Sequence, residues 1–324
     1  MIGKKQGELK MKRRFFKSFV LIVLSFILVL VTFVTTEFSL AYRKATTKST
    51  TPQQTTASMK ETVKDIPDVI QVTLIGSDAR SADENGRSDT LMVAQYDTKK
   101  KQAKLLSIMR DCYVTIPGYG EEKINAAYSF GGEPLLTQTL KDAFDLIPDY
   151  YMVLTFEEFE DAIDTLFPKG LTIDVEKDLT VDKIHLTKGE QKLNGHQVLQ
   201  YARFRKDEEG DFGRVRRQHQ VMEAIAEQAK SLSVMTRIPK AVGKIFGQID
   251  TNLPVSVVID VLMDYLKGDT GDIDALSIPV DHSWDFADDT PVGSVLTIDK
   301  EKNKEAITAF FDDDQQEQSD SVGQ

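Results

Sequence analysis

One cysteine, Cys112, stands in a chain of 324 residues, so no internal disulfide can staple the fold. Stability has to come from a core, which fits a bacterial surface where oxidative folding is little used. Histidine is scarce as well. His185, His196, His219 and His282 show no ligand spacing with one another or with Cys112, which argues against zinc. There is no Gly-rich phosphate loop of the Walker type, no dinucleotide fingerprint and no G-x-S-x-G elbow. Net positive charge is missing beyond the N-terminus. The formal net charge is −11, although Lys4, Lys5, Lys10, Lys12, Arg13, Arg14 and Lys17 face only Glu8 at the start. The remainder is therefore strongly acidic. Non-specific nucleic-acid binding needs Lys and Arg against phosphates, so nucleic acid is not an expected partner.

Long charge-free runs are absent too, with one exception. Residues 19–34 read FVLIVLSFILVLVTFV, and Glu37 is the first charge after them. About 20 apolar residues at 1.5 Å each cross a bilayer, so 19–36 is predicted to be a transmembrane anchor. Ser39–Ala41 would serve as a signal cleavage site. A secretory apolar core is shorter, roughly 7–15 residues, which favours an uncleaved anchor. The basic side stays inside. Residues 1–18 are then a cytoplasmic tail, and the rest lies outside the cell membrane on a single pass.

Residues 37–64, rich in Ser, Thr and Gln, read as a flexible stalk. Residues 312–324 read as an acidic disordered tail. Between them, 65–311 alternates strand and helix patterns. Strands are predicted at 69–76, 90–97, 103–109, 150–156, 171–175, 274–279 and 294–298, from continuous β-branched or apolar runs. Helices are predicted at 134–146, 157–167, 194–202, 212–231, 254–267 and 302–311. Pro134 would sit at the first helical position. The pattern predicts one α/β domain, a mixed central sheet with helices on both faces.

Three clusters could carry chemistry. In LIGSDARSADENGRSDTLM, Asp78 closes one strand and Asp89 opens the next. Carboxylates brought together repel unless one is protonated or a cation lies between them, and oxygen ligands suit Mg²⁺ or Mn²⁺. The plain alternative is a pair of loop salt bridges, Asp78 with Arg80 and Asp89 with Arg87. In SIMRDCYVTIPGYGEEKINAAYSFGG, Arg110 and Asp111 again follow an apolar strand. In LNGHQVLQYARFRKDEEGDFGRVRRQHQ, Arg203 and Arg205 are two apart, so an extended segment would point both the same way. Asp211, Arg214, Arg216, Arg217 and Gln218 follow. The choice of Arg over Lys suits paired hydrogen bonds to phosphate oxygens, with a basic helical surface as the plain alternative. Taken together, carboxylates for a divalent ion and arginines for a phosphate or diphosphate are the parts of a phosphoryl-transfer site.

These motifs, in this order from about Ile70 to Ile225, resemble the LytR-CpsA-Psr family of bacterial envelope proteins. The resemblance implies a sheet between helices with an apolar cavity for a prenyl chain. It implies a phosphotransferase that moves a glycopolymer (teichoic acid, capsule or another wall polysaccharide) from an undecaprenyl diphosphate carrier to peptidoglycan, at the membrane surface. By the same resemblance Asp78 and Asp89 are metal-associated. Arg87, Arg110, Arg203, Arg205 and Arg217 bind the diphosphate, Gln218 assists, and Asp211 is a candidate base. Met109, Cys112 and the Phe167–Leu171 turn depart from the family pattern without removing a charged site residue. Cys112 is expected to be a packing residue rather than a nucleophile. A lipid diphosphate hydrolase and a membrane-anchored regulator of transcription are the alternative functions.

Overall fold

The computed structural model describes residues 35–45, 67–77, 86–266 and 273–312. A mixed six-stranded sheet forms the centre. It contains β1 (Val69–Ser77), β2 (Ser88–Asp97) and β3 (Gln102–Ile108), flanked by β6 (Tyr150–Thr155), β11 (Asp250–Thr251) and β12 (Ile273–Ile278), in the order β11-β6-β1-β2-β3-β12. β1 runs antiparallel to β2 and parallel to β6, while β3 runs parallel to β12. A smaller sheet joins β4 (Cys112–Ile116), β5 (Gly120–Lys123), β13 (Trp284–Ala287) and β14 (Val295–Ile298) in the order β13-β14-β4-β5. Two hairpin pairs complete the strands: β7 (Leu171–Val175) with β10 (Gly189–Leu193), and β8 (Leu179–Val181) with β9 (Ile184–Leu186).

The helices are α1 (35–45), α2 (Ala126–Phe144), α3 (Phe156–Leu166), α4 (Gly195–Arg203), α5 (Gly210–Ala229), α6 (Leu232–Met235), α7 (Ile238–Phe246), α8 (Val255–Leu266) and α9 (Lys300–Phe311). Local signals start two of them. Thr155 and Glu158 close a capping box at α3, and Asn194 and Gln197 do the same at α4. The helix expected from Pro134 begins earlier, at Ala126. Gly131 and Gly132 break its helical geometry before Pro134, and Gly132 takes φ +64°, which a side chain would resist.

Strand alternation sets what lies on each face of the sheet. Ile75, Leu91, Val93 and Val153 pack into the large core with α2 and α9. The residues between them face the other way. Leu74 pairs with Met92 and Met152, and Gly76 pairs with Thr90 and Leu154, which lays two rows across three strands. A second core joins α3, α4 and α5 to β7 and β10, and a third gathers Ile70, Phe246, Leu253 and Val257.

One expectation needs adjustment. The stalk expected at 37–64 begins instead as helix to residue 45. Phe38, Tyr42 and Ala45 make its helical stripe, and it packs on α7 where Gly243 and Gly247 leave room. A Cβ on Gly247 would lie 2.6 Å from Ala45 Cβ and 2.8 Å from the Tyr42 carbonyl. The predicted anchor, except Thr35 and Thr36, lies outside the described residues. Among the described residues no helix is long and apolar enough to cross a membrane.

Candidate active site

The two side-chain rows on the far face of the sheet become the floor of a cavity of about 310 Å³. Leu74, Met92 and Met152 form one row of that floor, and Gly76, Thr90 and Leu154 the other. Gly76 is required by close approach, since a Cβ there would lie 2.9 Å from Thr90 Cβ. Helix spacing supplies the walls: Phe156 and Phe159 from α3, Leu199 and Ala202 from α4, Val221 and Met222 from α5. The interior is thus apolar. The lining also carries the polar groups Asp89, Arg110, Arg203, Arg205, Arg214 and Gln218.

A bulge aims Asp89. Gly76 pairs with Thr90 but Ser77 pairs with Ser88, which leaves Asp89 as the extra residue. Its carboxylate accepts from Arg110 Nη1 at 2.7 Å, so its partner is the arginine after β3 and not Arg87. Arg110 Nε lies 3.4 Å from Asp111 and 3.8 Å from Asp211. Asp211, in the first turn of α5, accepts from Arg214 Nη2 at 2.7 Å. Burial pushes the Asp211 carboxyl above its usual range; Arg214 and Arg110 oppose the shift, while Asp111 and Asp89 add to it. Burial pushes Arg214 down against the pull of Asp211.

Arg203 and Arg205 reach the cavity by a different geometry from the extended one expected. Arg203 ends α4, and extended backbone at Phe204 carries the chain to Arg205. The Arg203 guanidinium stacks 4.1 Å from the Phe156 ring centroid. Gln218 donates to Thr90 Oγ1 at 3.0 Å, tying α5 to the floor.

Arg217 is not in the cavity wall. It is fully buried, and Nη1 holds Glu176 at 2.5 Å and Asp207 at 3.1 Å. Nη2 donates to the Phe204 carbonyl at 2.5 Å, at the peptide between Arg203 and Arg205. The structure therefore places Arg217 behind the arginine pair, tying down the backbone that carries it. Glu176, Asp207 and Glu209 could hold a metal by their spacing. Lys177, Arg216 and Arg217 already pair with them, so protein cations fill that role. Arg87 is exposed just before β2 and does not line the cavity. Asp78 lies outside the described residues. Cys112 is buried, and burial raises its thiol well above the range of a nucleophile.

Arg214 was named in the basic run of the sequence but given no role of its own. Its signal was present: it lies four residues before Gln218, on the same helical face. The apolar floor was also hidden, because β1, β2 and β6 are apolar on both faces and only the register separates cavity from core.

An apolar chamber lined in part by arginines has the chemistry to receive an amphiphile, apolar in its tail and anionic in its head. The family of such α/β proteins is identifiable by comparison. The LytR_cpsA_psr family model matches residues 33–308, and the chain belongs to that family. "Regulatory protein MsrR" of Staphylococcus aureus (strain COL) is 41% identical over 247 residues, 76% of this chain and 75% of that protein. "Polyisoprenyl-teichoic acid--peptidoglycan teichoic acid transferase TagU" of Bacillus licheniformis is 36% identical over 203 residues, 62% of this chain and 64% of that one. The crystal structure of B. subtilis TagV superposes with a TM-score of 0.65 at 31% identity, covering 76% of this chain and 99% of that chain.

Proposed function

We propose that the protein is a membrane-anchored phosphotransferase that moves a glycopolymer from a polyprenyl diphosphate carrier to peptidoglycan. The observation that carries this reading is the joining of an apolar chamber to a cluster of four arginines, Arg110, Arg203, Arg205 and Arg214. Water and small anions need no such chamber, whereas an isoprenoid chain does. The transferase name of the TagU relative supports the same class of donor.

In this reading the prenyl chain lies over Leu74, Met92, Met152 and Leu154. The diphosphate meets the arginines, whose planar donors suit its oxygens. A sugar hydroxyl of peptidoglycan attacks the phosphorus that bears the glycopolymer. A new P–O bond forms, the diphosphate P–O–P bond breaks, and polyprenyl phosphate leaves with the electron pair. Asp211 takes the hydroxyl proton; burial makes it a better acceptor near neutral pH than an exposed carboxylate. The arginines stabilise charge on the leaving phosphate. Asp89 would offer an oxygen ligand for Mg²⁺ or Mn²⁺ by giving up its bond to Arg110, with Asp78 as its expected companion. When bound, the ion supplies further neutralisation of phosphate charge.

The anchor at 19–36 would hold the chamber at the outer membrane surface, where carrier lipids present their head groups. Transfer of labelled glycopolymer from its lipid carrier to peptidoglycan by the purified full chain tests the proposal. Labelled wall and polyprenyl phosphate should appear together, and Arg110→Ala should abolish both. Release of glycopolymer phosphate at an unchanged rate without peptidoglycan would make the protein a lipid diphosphate hydrolase. The name of the S. aureus relative favours a second reading, a membrane-anchored regulator. External protease on intact protoplasts separates the two, since only an externally exposed body is digested.

A further inference from the structure

We infer that the aromatic ladder Phe212, Trp284 and Phe286 is a subsite for the pyranose rings of a glycan held at the arginine rim. The inference rests on the transferase reading and names a part of the site that the diphosphate groups do not use. Phe212 directly follows Asp211 at the start of α5, and its ring lies 4.9 Å from that of Trp284. Trp284 in turn meets Phe286 edge-on at 5.0 Å. Trp284 and Phe286 alternate on β13, so both side chains emerge on the face that meets α5. The ladder begins half-buried beside the candidate base and ends in solvent, where Phe286 is 71% exposed.

Exposing a phenylalanine on an edge strand is costly and invites aggregation, which makes its exposure at this place informative. The sheet fixes its distance from the phosphate groups. Phe286 pairs with Leu296 on β14, and the Leu296 N–H donates to the carbonyl of Asp111, next to Arg110. Two strand spacings, about 10 Å, thus separate the backbone at Phe286 from that at Asp111. One or two sugar rings bridge that gap when the first is joined to a bound phosphate. A pyranose also has the right chemistry. Its axial C–H groups form an apolar face that packs on the electron-rich face of an aromatic ring, while its hydroxyls remain in water. The donor glycan and the peptidoglycan acceptor share this ring chemistry.

The chain contains a single tryptophan, so its emission reports this subsite alone. The full chain is titrated with soluble peptidoglycan oligosaccharide, with prenyl diphosphate bearing one sugar, and with glycan-free prenyl diphosphate. A change in Trp284 emission with a sugar-bearing ligand, weakened about tenfold by Phe286→Ala, is expected. Response to the free oligosaccharide assigns the subsite to the acceptor, and response only to the lipid-linked sugar assigns it to the donor. Emission unmoved by either glycan, or moved equally in Phe286→Ala, overturns the inference. Calorimetry with the glycan-free lipid on the unaltered protein judges the transferase reading separately: binding there, with a tryptophan silent to both glycans, sinks the subsite alone. Melting temperature confirms that the variant is folded.

Discussion

Arg203 and Arg205 keep their charge as lysines but lose the planar fork. Each charge-assisted hydrogen bond is worth about 1.5–3 kcal/mol. The double change Arg203→Lys, Arg205→Lys should therefore weaken prenyl diphosphate binding roughly 100-fold or more, while melting temperature barely moves. A lower melting temperature with intact lipid binding would show that the pair is structural. Asp211 makes a different prediction. A base works in its ionised form, and burial raises this carboxyl. Activity should fall with acidification at a pH above the ordinary carboxylate range of about 4, and Asp211→Asn should remove activity without weakening lipid binding. A pH–rate profile with its acid limb near 4 would put the base elsewhere. Arg217 belongs to stability. Arg217→Met removes the buried guanidinium from Glu176 and Asp207, which keep Arg216 and Lys177, and frees the Phe204 carbonyl. A loss of about 2 kcal/mol in denaturant unfolding is expected. Sequence alone could not separate Arg214 from Arg217, since both sit in one basic run. A helical turn places Arg214 in the cavity and sends Arg217 to the rear.

Among the elements, the strands of the central sheet were legible because β1, β2, β3 and β6 are short, apolar and bounded by polar turns. Of the small sheet, only β14 was. GEEK at β5 and WDFA at β13 carry no buried run, and they are strands because β4 and β14 lie beside them. The kinked α2 was read short because Pro134 looks like a helix start. The helix at 35–45 was concealed by its neighbours, an apolar run before it and a Ser/Thr-rich stretch after it. Its seat on α7 is a G-x-x-x-G seam, Gly243 to Gly247. Gly247→Val should displace α1, since even a Cβ there overlaps Ala45 and the Tyr42 carbonyl. Limited proteolysis of the full chain should then cut within 35–45 much faster than in the unaltered protein. Equal cutting rates would mean that α1 is not held by this seam.

At the scale of the whole molecule, the sheet divides labour between its faces. One face packs α2 and α9 and stabilises the fold; the other leaves a chamber under α3, α4 and α5 and places four arginines at its rim. The bulge at Asp89 and the strap anchored by Arg217 bring groups from distant segments to that rim. The family, the α/β class and most rim residues could be read from motifs, because charged residues at strand ends have few other uses. The chamber could not, because a floor of Leu and Met looks like core until register assigns the face. The central claim is that chamber and rim act as one receptor for a prenyl diphosphate. The most direct test is calorimetric titration of the full chain with polyprenyl diphosphate and with the monophosphate of the same chain length. The account predicts one diphosphate lipid per chain and a monophosphate bound at least about tenfold more weakly, because it forgoes one phosphate's hydrogen bonds. Equal affinity for the two lipids, or no saturable binding of either, would contradict it.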